Sequence, residues 1–249
     1  MKDEINEVYK KYSEAVTALW YFLTYARKNQ KKDQQSILEI MEKFKLIPGD
    51  FIQKTGLIEI SLTKEEVELT KKVLEETKQN LDKGFNILED MAVIYLVALF
   101  DAFLVDILST ILTNKPEMMK SSKKSLTYEK IIELRNPVEL IVYLVQKEMN
   151  EFSYKSIKEQ AEYVSSRFGI NIEDSGISID SLVELRARRN ILVHNNGVVN
   201  TIFLESVTTK NYKLGDKILT SIEEWNSFKE NLRETTKFLL QKSLENFCP

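Results

Sequence analysis

The sequence predicts an all-α fold: a helical bundle with an N-terminal helical extension and at most one small β-hairpin. Three observations carry that expectation. Only 7 Gly and 4 Pro occur in 249 residues, so the chain has few built-in breaks. Apolar residues recur at helical spacing along most of its length. Loose alternation of apolar and polar residues is confined to residues 51–61, FIQKTGLIEIS.

Taken in order, residues 2–29 predict a long amphipathic helix, with Val8, Tyr12, Val16, Leu19, Phe22 and Leu23 on one face. A second helix is expected over 35–44, stopped by Pro48-Gly49. Thr63 followed by Glu66 reads as a capping box opening a helix to about Asp82. Residues 86–113 read as a buried helix. The stretch from Asn114 to Leu126 is a polar connection rich in Lys and Ser. Thr127 caps a short helix to Leu134, and Asn136-Pro137 starts the next, to Phe152. A helix over 156–168 stops at Gly169. Asp180 or Ser178 caps a helix through Asn196, ended or kinked by Gly197. Residues 206–219 read as a loop with weak strand character around 212–218, and a last helix covers 221–246. The expected division is an N-terminal helical region, 1–80, and a helical domain, 81–249.

Composition excludes several function classes. Hydrophobic residues at 43% and charged residues at 29% are ordinary for a soluble globular chain. The net charge of -3 rules out a globally basic nucleic-acid coat, so a polyanion site must be a local patch. The single cysteine, Cys248, closes no internal disulfide, which fits a reducing compartment. The charged N-terminal stretch lacks the apolar segment of a signal peptide, so the expected location is the cytoplasm. Met91–Leu112 is nearly long enough to span a bilayer, but Asp101 and Asp106 interrupt it. A carboxylate at mid-membrane costs about 3 kcal/mol, so a core helix is expected and no membrane association. With one histidine, His194, a conventional zinc site lacks ligands. Nucleophile-elbow and phosphate-cradling glycine motifs are also absent, so no metal or cofactor is expected.

Chemistry concentrates in the helix SLVELRARRNILVHNN, residues 181–196. At about 100° per residue, Leu182, Leu185, Leu192 and Val193 form an apolar stripe, and Arg189 falls inside it. A guanidinium keeps its charge and needs an anion or a wet cleft there. The bland alternative is a stem packed on the core with its head snorkelling to water. Three of the seven arginines, Arg186, Arg188 and Arg189, stand just before the only histidine. Asn190 and His194 make an adjoining polar sector, bridged by Arg186. Arg189 and His194 lie about 140° apart with roughly 7.5 Å of rise between them. A cleft closed by a second helix would bring them together, and a two-fold dimer supplies one.

The string from Leu185 to Gly197, LRARRNILVHNNG, resembles the signature of the HEPN superfamily: Arg, four residues, then His, with a polar residue after the Arg. Arg189, Asn190 and His194 match it position by position. The resemblance extends over about residues 86–247. It implies a helical bundle that forms a homodimer, with two Arg–His motifs facing one cleft. It also implies metal-independent endoribonuclease activity in toxin–antitoxin or anti-phage roles, with an antitoxin or other regulatory protein as partner. Some members carry a modifiable tyrosine two residues after the His; position 196 here is Asn.

These residue types suit cleavage of RNA by its own 2′-OH, which leaves a 2′,3′-cyclic phosphate. Histidine serves as base or acid near neutrality. Arginine forks onto phosphate oxygens and stabilises the phosphorane. The expected catalytic residues are therefore Arg189, His194 and Asn190, the last orienting His194 or donating to phosphate. Arg186, Arg188 and Asn195 are expected to bind substrate, the two arginines by steering phosphate from the surface. Asp101, in the apolar helix, needs a cationic partner, Arg186 or Arg189, and stands as a supporting acid. Lys210, Tyr212 and Lys213 mark a solvated loop within reach of RNA. Trp20 and Trp225 read as packing residues. A non-catalytic HEPN module binding a nucleotide, RNA or a protein is the alternative, and a plain helical scaffold with a packing Arg189 is a third reading.

Overall fold

The computed structural model describes the whole chain apart from residues 46–50, 56, 57, 63, 121–123, 135, 209, 210 and 249, and apart from the side chains at 41–64, 66, 67 and 85. Described helices are α1 (Lys2–Lys45), α2 (Lys64–Asn114), α3 (Tyr128–Glu133), α4 (Pro137–Ser153), α5 (Ile157–Phe168), α6 (Ile179–His194), α7 (Thr201–Ser206) and α8 (Ile222–Phe247). The expected all-α class is what the structure has. The hairpin expected at 51–61 is present as β1 (Phe51–Thr55) and β2 (Ile58–Leu62), antiparallel, with Phe51 opposite Leu62 and Thr55 opposite Ile58.

Two helix boundaries differ from expectation. Helices predicted separately at 2–29 and 35–44 are one helix of 44 residues. No Pro or Gly stands between them, so nothing stops the first. Those predicted at 63–82 and 86–113 also merge, into 51 residues. A glycine inside a helix costs about 1 kcal/mol, and Gly84 does not break it. The stop at Pro48-Gly49 and the Thr63–Glu66 capping box lie outside the described residues.

The chain divides into two compact units, one formed by residues 1–18 with 90–249 and the other by 19–89. The first 18 residues therefore belong with the larger unit, not with the N-terminal region as the expected division at residue 80 had it. In the smaller unit Leu23 and Ile37 are buried, while Phe22, placed on the apolar face by its spacing, is exposed. Arg27 there donates from Nε to Glu89 Oε1 at 2.6 Å, which pairs the buried carboxylate.

The larger unit holds the candidate site. Its central element is the C-terminal part of α2, where Val93, Leu96, Phe100, Phe103, Ile107 and Ile111 are buried. By length and composition this helix is long and apolar enough to cross a membrane, and half of its apolar window is buried inside the fold. Ile5 and Tyr12 of α1 explain why the N-terminal turns belong here: both are buried, and the Tyr12 ring lies 5.1 Å from that of Phe103. Trp225, fully buried on α8, is a core residue as its sequence context predicts.

Local chemistry sets the helix ends around α6. Ser156 and Glu159 form a reciprocal capping box at the start of α5, and Gly169 ends that helix in the left-handed conformation. Ser178 caps α6, accepting from the Asp180 N–H. The helix stops where Asn196 and Gly197 take positive φ, 50° and 73°. Gly197 then donates its N–H back to Ile191 O at 2.9 Å. A 3-10 turn at Pro116–Met119 and the six-residue α7 occupy stretches where the sequence predicts no helix.

Candidate functional site

α6 is buried along a broader arc than its leucines suggest. Leu182 and Leu185 face the core, but so do Ala187, Arg188 and Ile191 on the other side. Val193, assigned to the apolar stripe by its spacing, is 45% exposed. What remains open is a sector holding Asn190, Val193 and His194, all exposed. At about 100° per residue, Arg189 marks one edge of that sector and His194 the other.

The three arginines of α6 have three different fates. Arg186 pairs with Asp101 of α2 and also donates Nη1 to Lys155 O at 3.1 Å. Asp101 thus supports Arg186 and not Arg189. Arg188, expected at the surface as a phosphate-steering residue, is 2% exposed. It donates from Nη2 to Glu224 at 2.8 Å and to the Tyr212 hydroxyl at 3.0 Å, and its guanidinium lies 5.2 Å from the Phe228 ring. Its direction into the core follows from its place opposite the open sector. The expectation that Arg188 binds substrate is therefore corrected. Arg189 has no carboxylate within ion-pair distance among the described residues. It donates from Nη1 to Asn190 Oδ1 at 3.0 Å, and its Nε is enclosed with no acceptor among the described residues.

Burial raises the Glu224 carboxyl, but hydrogen bonds from Arg188 and from the Ser221 N–H outweigh it and hold the group below the ordinary glutamate range. Burial pushes the Tyr212 hydroxyl up, as does its hydrogen bond to Glu184, donated at 2.8 Å. Tyr212 therefore points inward and ties its loop to α6, where the sequence predicts a solvated loop residue. Lys213 stays exposed in that loop, and Lys210 lies outside the described residues.

A cleft of about 350 Å³ opens between α6 and α7. Asn190 and His194 line one wall, and Asn200, Ile202, Phe203 and Ser206 the other. Asn200 caps α7 by accepting from the Phe203 N–H at 2.8 Å. Beneath the cleft, Ala187, Ile191, Val199, Phe203 and Ile218 form a small core that fixes α7 on α6. The turn after α6 is held as firmly. Val199 donates its N–H to Asp216 O at 2.9 Å, and Ile218 donates to Gly197 O at 2.9 Å.

Asn195, expected to contact substrate, donates from Nδ2 to Val198 O at 2.6 Å, so its amide shapes this turn. The α7 wall is the part of the site that sequence reading missed. Its one signal is Asn200 three residues before Phe203, a cap for a helix too short to show periodicity. Asp106 is exposed on α2, its carboxyl is raised by partial desolvation, and it takes no part in the cleft. Among the described residues no group of three or more His, Cys, Asp or Glu side chains gathers as metal donors.

The site thus brings together Asn190 and His194, with Arg189 joined through Asn190. It holds one exposed imidazole, one cation not neutralised by a neighbour, and an amide between them. No family model, curated protein or solved structure matches this chain.

Proposed function

We propose that this chain is a metal-independent HEPN-type endoribonuclease that works as a cytoplasmic homodimer, serving as a toxin or anti-phage effector under a regulatory partner. The observation that carries the reading is the selective pairing on α6. Arg186 and Arg188 are neutralised by Asp101 and Glu224, whereas Arg189 meets, among the described residues, only the amide of Asn190. A cation left with a neutral partner at the rim of an open sector suits a phosphate.

In this mechanism Arg189 forks onto the non-bridging oxygens of the scissile phosphate. His194 takes the proton from the 2′-OH as the O2′–P bond forms. The P–O5′ bond breaks, and a second copy's His194, protonated, gives its proton to the departing 5′ oxygen. The products are a 2′,3′-cyclic phosphate and a 5′-OH. Asn190, which lines the cleft, accepts from Arg189 and fixes the position of its head. The exposed Val193, set between Arg189 and His194, supports a second copy closing over this face, because an apolar residue between two polar groups gains from burial there.

A second reading, a non-catalytic module that binds RNA, a nucleotide or a protein, is favoured by one detail. Arg189 does not itself line the cleft that His194 lines. Single variants Arg189→Ala and His194→Ala separate the two readings. Loss of RNA cleavage in both, with helicity and dimer mass kept, supports the enzyme. Unchanged behaviour in both supports the binding module.

A further inference from the structure

The cleft at His194 does not end at Asn190. A second depression, about 360 Å³, runs from the other side of Asn190 toward the start of α5 and is lined by Ser156, Ile157, Val183, Arg186 and Glu205. The two depressions share Ala187, Asn190 and Ser206, so they form one groove with Asn190 at its waist.

The two ends of the groove differ in charge. No carboxylate lines the end at His194, and Arg189, which has no carboxylate partner among the described residues, reaches the groove through Asn190 at its waist. At the far end both cations are already paired, Arg186 with Asp101 and Lys158 with Asp180 at 3.2 Å. Glu205 is exposed there and has no ion-pair or hydrogen-bond partner among the described residues. A phosphate would be repelled at this end. A neutral, flat group with N–H donors would be held, its faces against Ile157, Val183 and Ala187.

Resting on the ribonuclease reading above, we infer that the far end of the groove takes the base next to the scissile phosphate, that Glu205 reads it, and that guanine is the base preferred. An ionised carboxylate only accepts hydrogen bonds and offers two oxygens side by side. Guanine presents two adjacent donors, N1–H and the N2 amino group, on its pairing edge. Cytosine and adenine each present one amino donor beside a ring acceptor. Uracil presents one N–H between two carbonyl oxygens, which a carboxylate repels. Bases of single-stranded RNA are open to this kind of contact along their pairing edges.

The test uses four short single-stranded RNAs that differ only in one central nucleotide: guanosine, adenosine, cytidine or uridine. The central residues carry 2′-deoxyribose so that they bind without being cut, and binding to the intact protein is read by fluorescence anisotropy. Guanosine RNA is expected to bind roughly tenfold more tightly than uridine RNA, the scale of one good bidentate contact. In Glu205→Ala that ratio is expected to fall to within about twofold. Any other ranking of the bases, equal or absent binding of the four RNAs, or a guanosine preference that survives in Glu205→Ala overturns the inference. All-ribose versions of the same RNAs report cleavage separately. An uncut all-ribose set with the guanosine preference intact would therefore count against the nuclease reading alone.

Discussion

Arg189 Nη1 donates to Asn190 Oδ1 at 3.0 Å, and through this bond the one arginine of α6 without a carboxylate partner among the described residues is tied to the wall of the His194 cleft. The bond leaves the guanidinium charge uncancelled, because an amide is a neutral acceptor. Replacing that amide by a carboxylate should cancel it.

Asn190→Asp is accordingly expected to lower kcat/KM for RNA cleavage by roughly 10- to 100-fold, the scale of losing one preorganised cation or donor at a developing charge. Thermal stability should change little, since Asn190 is exposed. Steady-state kinetics on a short fluorogenic RNA check this. Activity equal to wild type would show that Arg189 does not act on substrate.

Arg188 belongs to the fold. Its side chain is buried, bridges Glu224 and Tyr212, and stacks on Phe228. Arg188→Ala removes that bridge and leaves a cavity, and should cost about 3 kcal/mol in urea unfolding. Arg186→Ala, whose partner Asp101 is 38% exposed, should cost less, about 1 kcal/mol. The reverse order would contradict the assignment of their roles.

Acid should loosen the fold through two carboxylates. Burial raises Glu148, but hydrogen bonds from Lys124 and Tyr163 outweigh it and hold its carboxyl low, and Glu224 is held low in a similar way. A carboxyl that titrates lower in the folded state adds stability above its unfolded value, near 4.5, and loses it as pH falls through the folded value. Urea unfolding from pH 7 downward should show a steep loss starting near pH 4.5. Glu148→Gln should be less stable at neutral pH and should show a shallower loss. An identical slope in wild type and variant would refute the link.

Gly197 is the position where the turn after α6 disfavours a side chain. Its φ is +73°, and an added Cβ would meet Ile218 O at 3.0 Å. Gly197→Ala should destabilise the protein by about 1 to 3 kcal/mol, read by thermal unfolding. An unchanged melting temperature would mean that the turn rearranges freely.

Much of the fold was legible because its signals are local. Ser156 with Glu159, Asn136-Pro137 and the Gly169 stop sit where capping chemistry places them. Helix continuity through Gln30 and Gly84 was not legible, because it depends on no residue opposing it strongly enough. In the site, the crowding of Arg186, Arg188 and Arg189 before His194 was visible, but their separation was not. Which arginine is neutralised is decided by Asp101 and Glu224, 85 and 36 positions away, and spacing along one helix carries no record of such partners. Glu205 was invisible for the same reason. Only the packing of α7 on α6 brings it to the groove.

The most direct test is to incubate the protein with a short RNA in excess chelator and identify the ends of any fragments, alongside Arg189→Ala and His194→Ala. Cleavage that resists chelator, leaves 2′,3′-cyclic phosphate and 5′-OH ends and disappears in both variants is the expected result. Intact RNA with wild type, or fragments that persist in either variant, would contradict it.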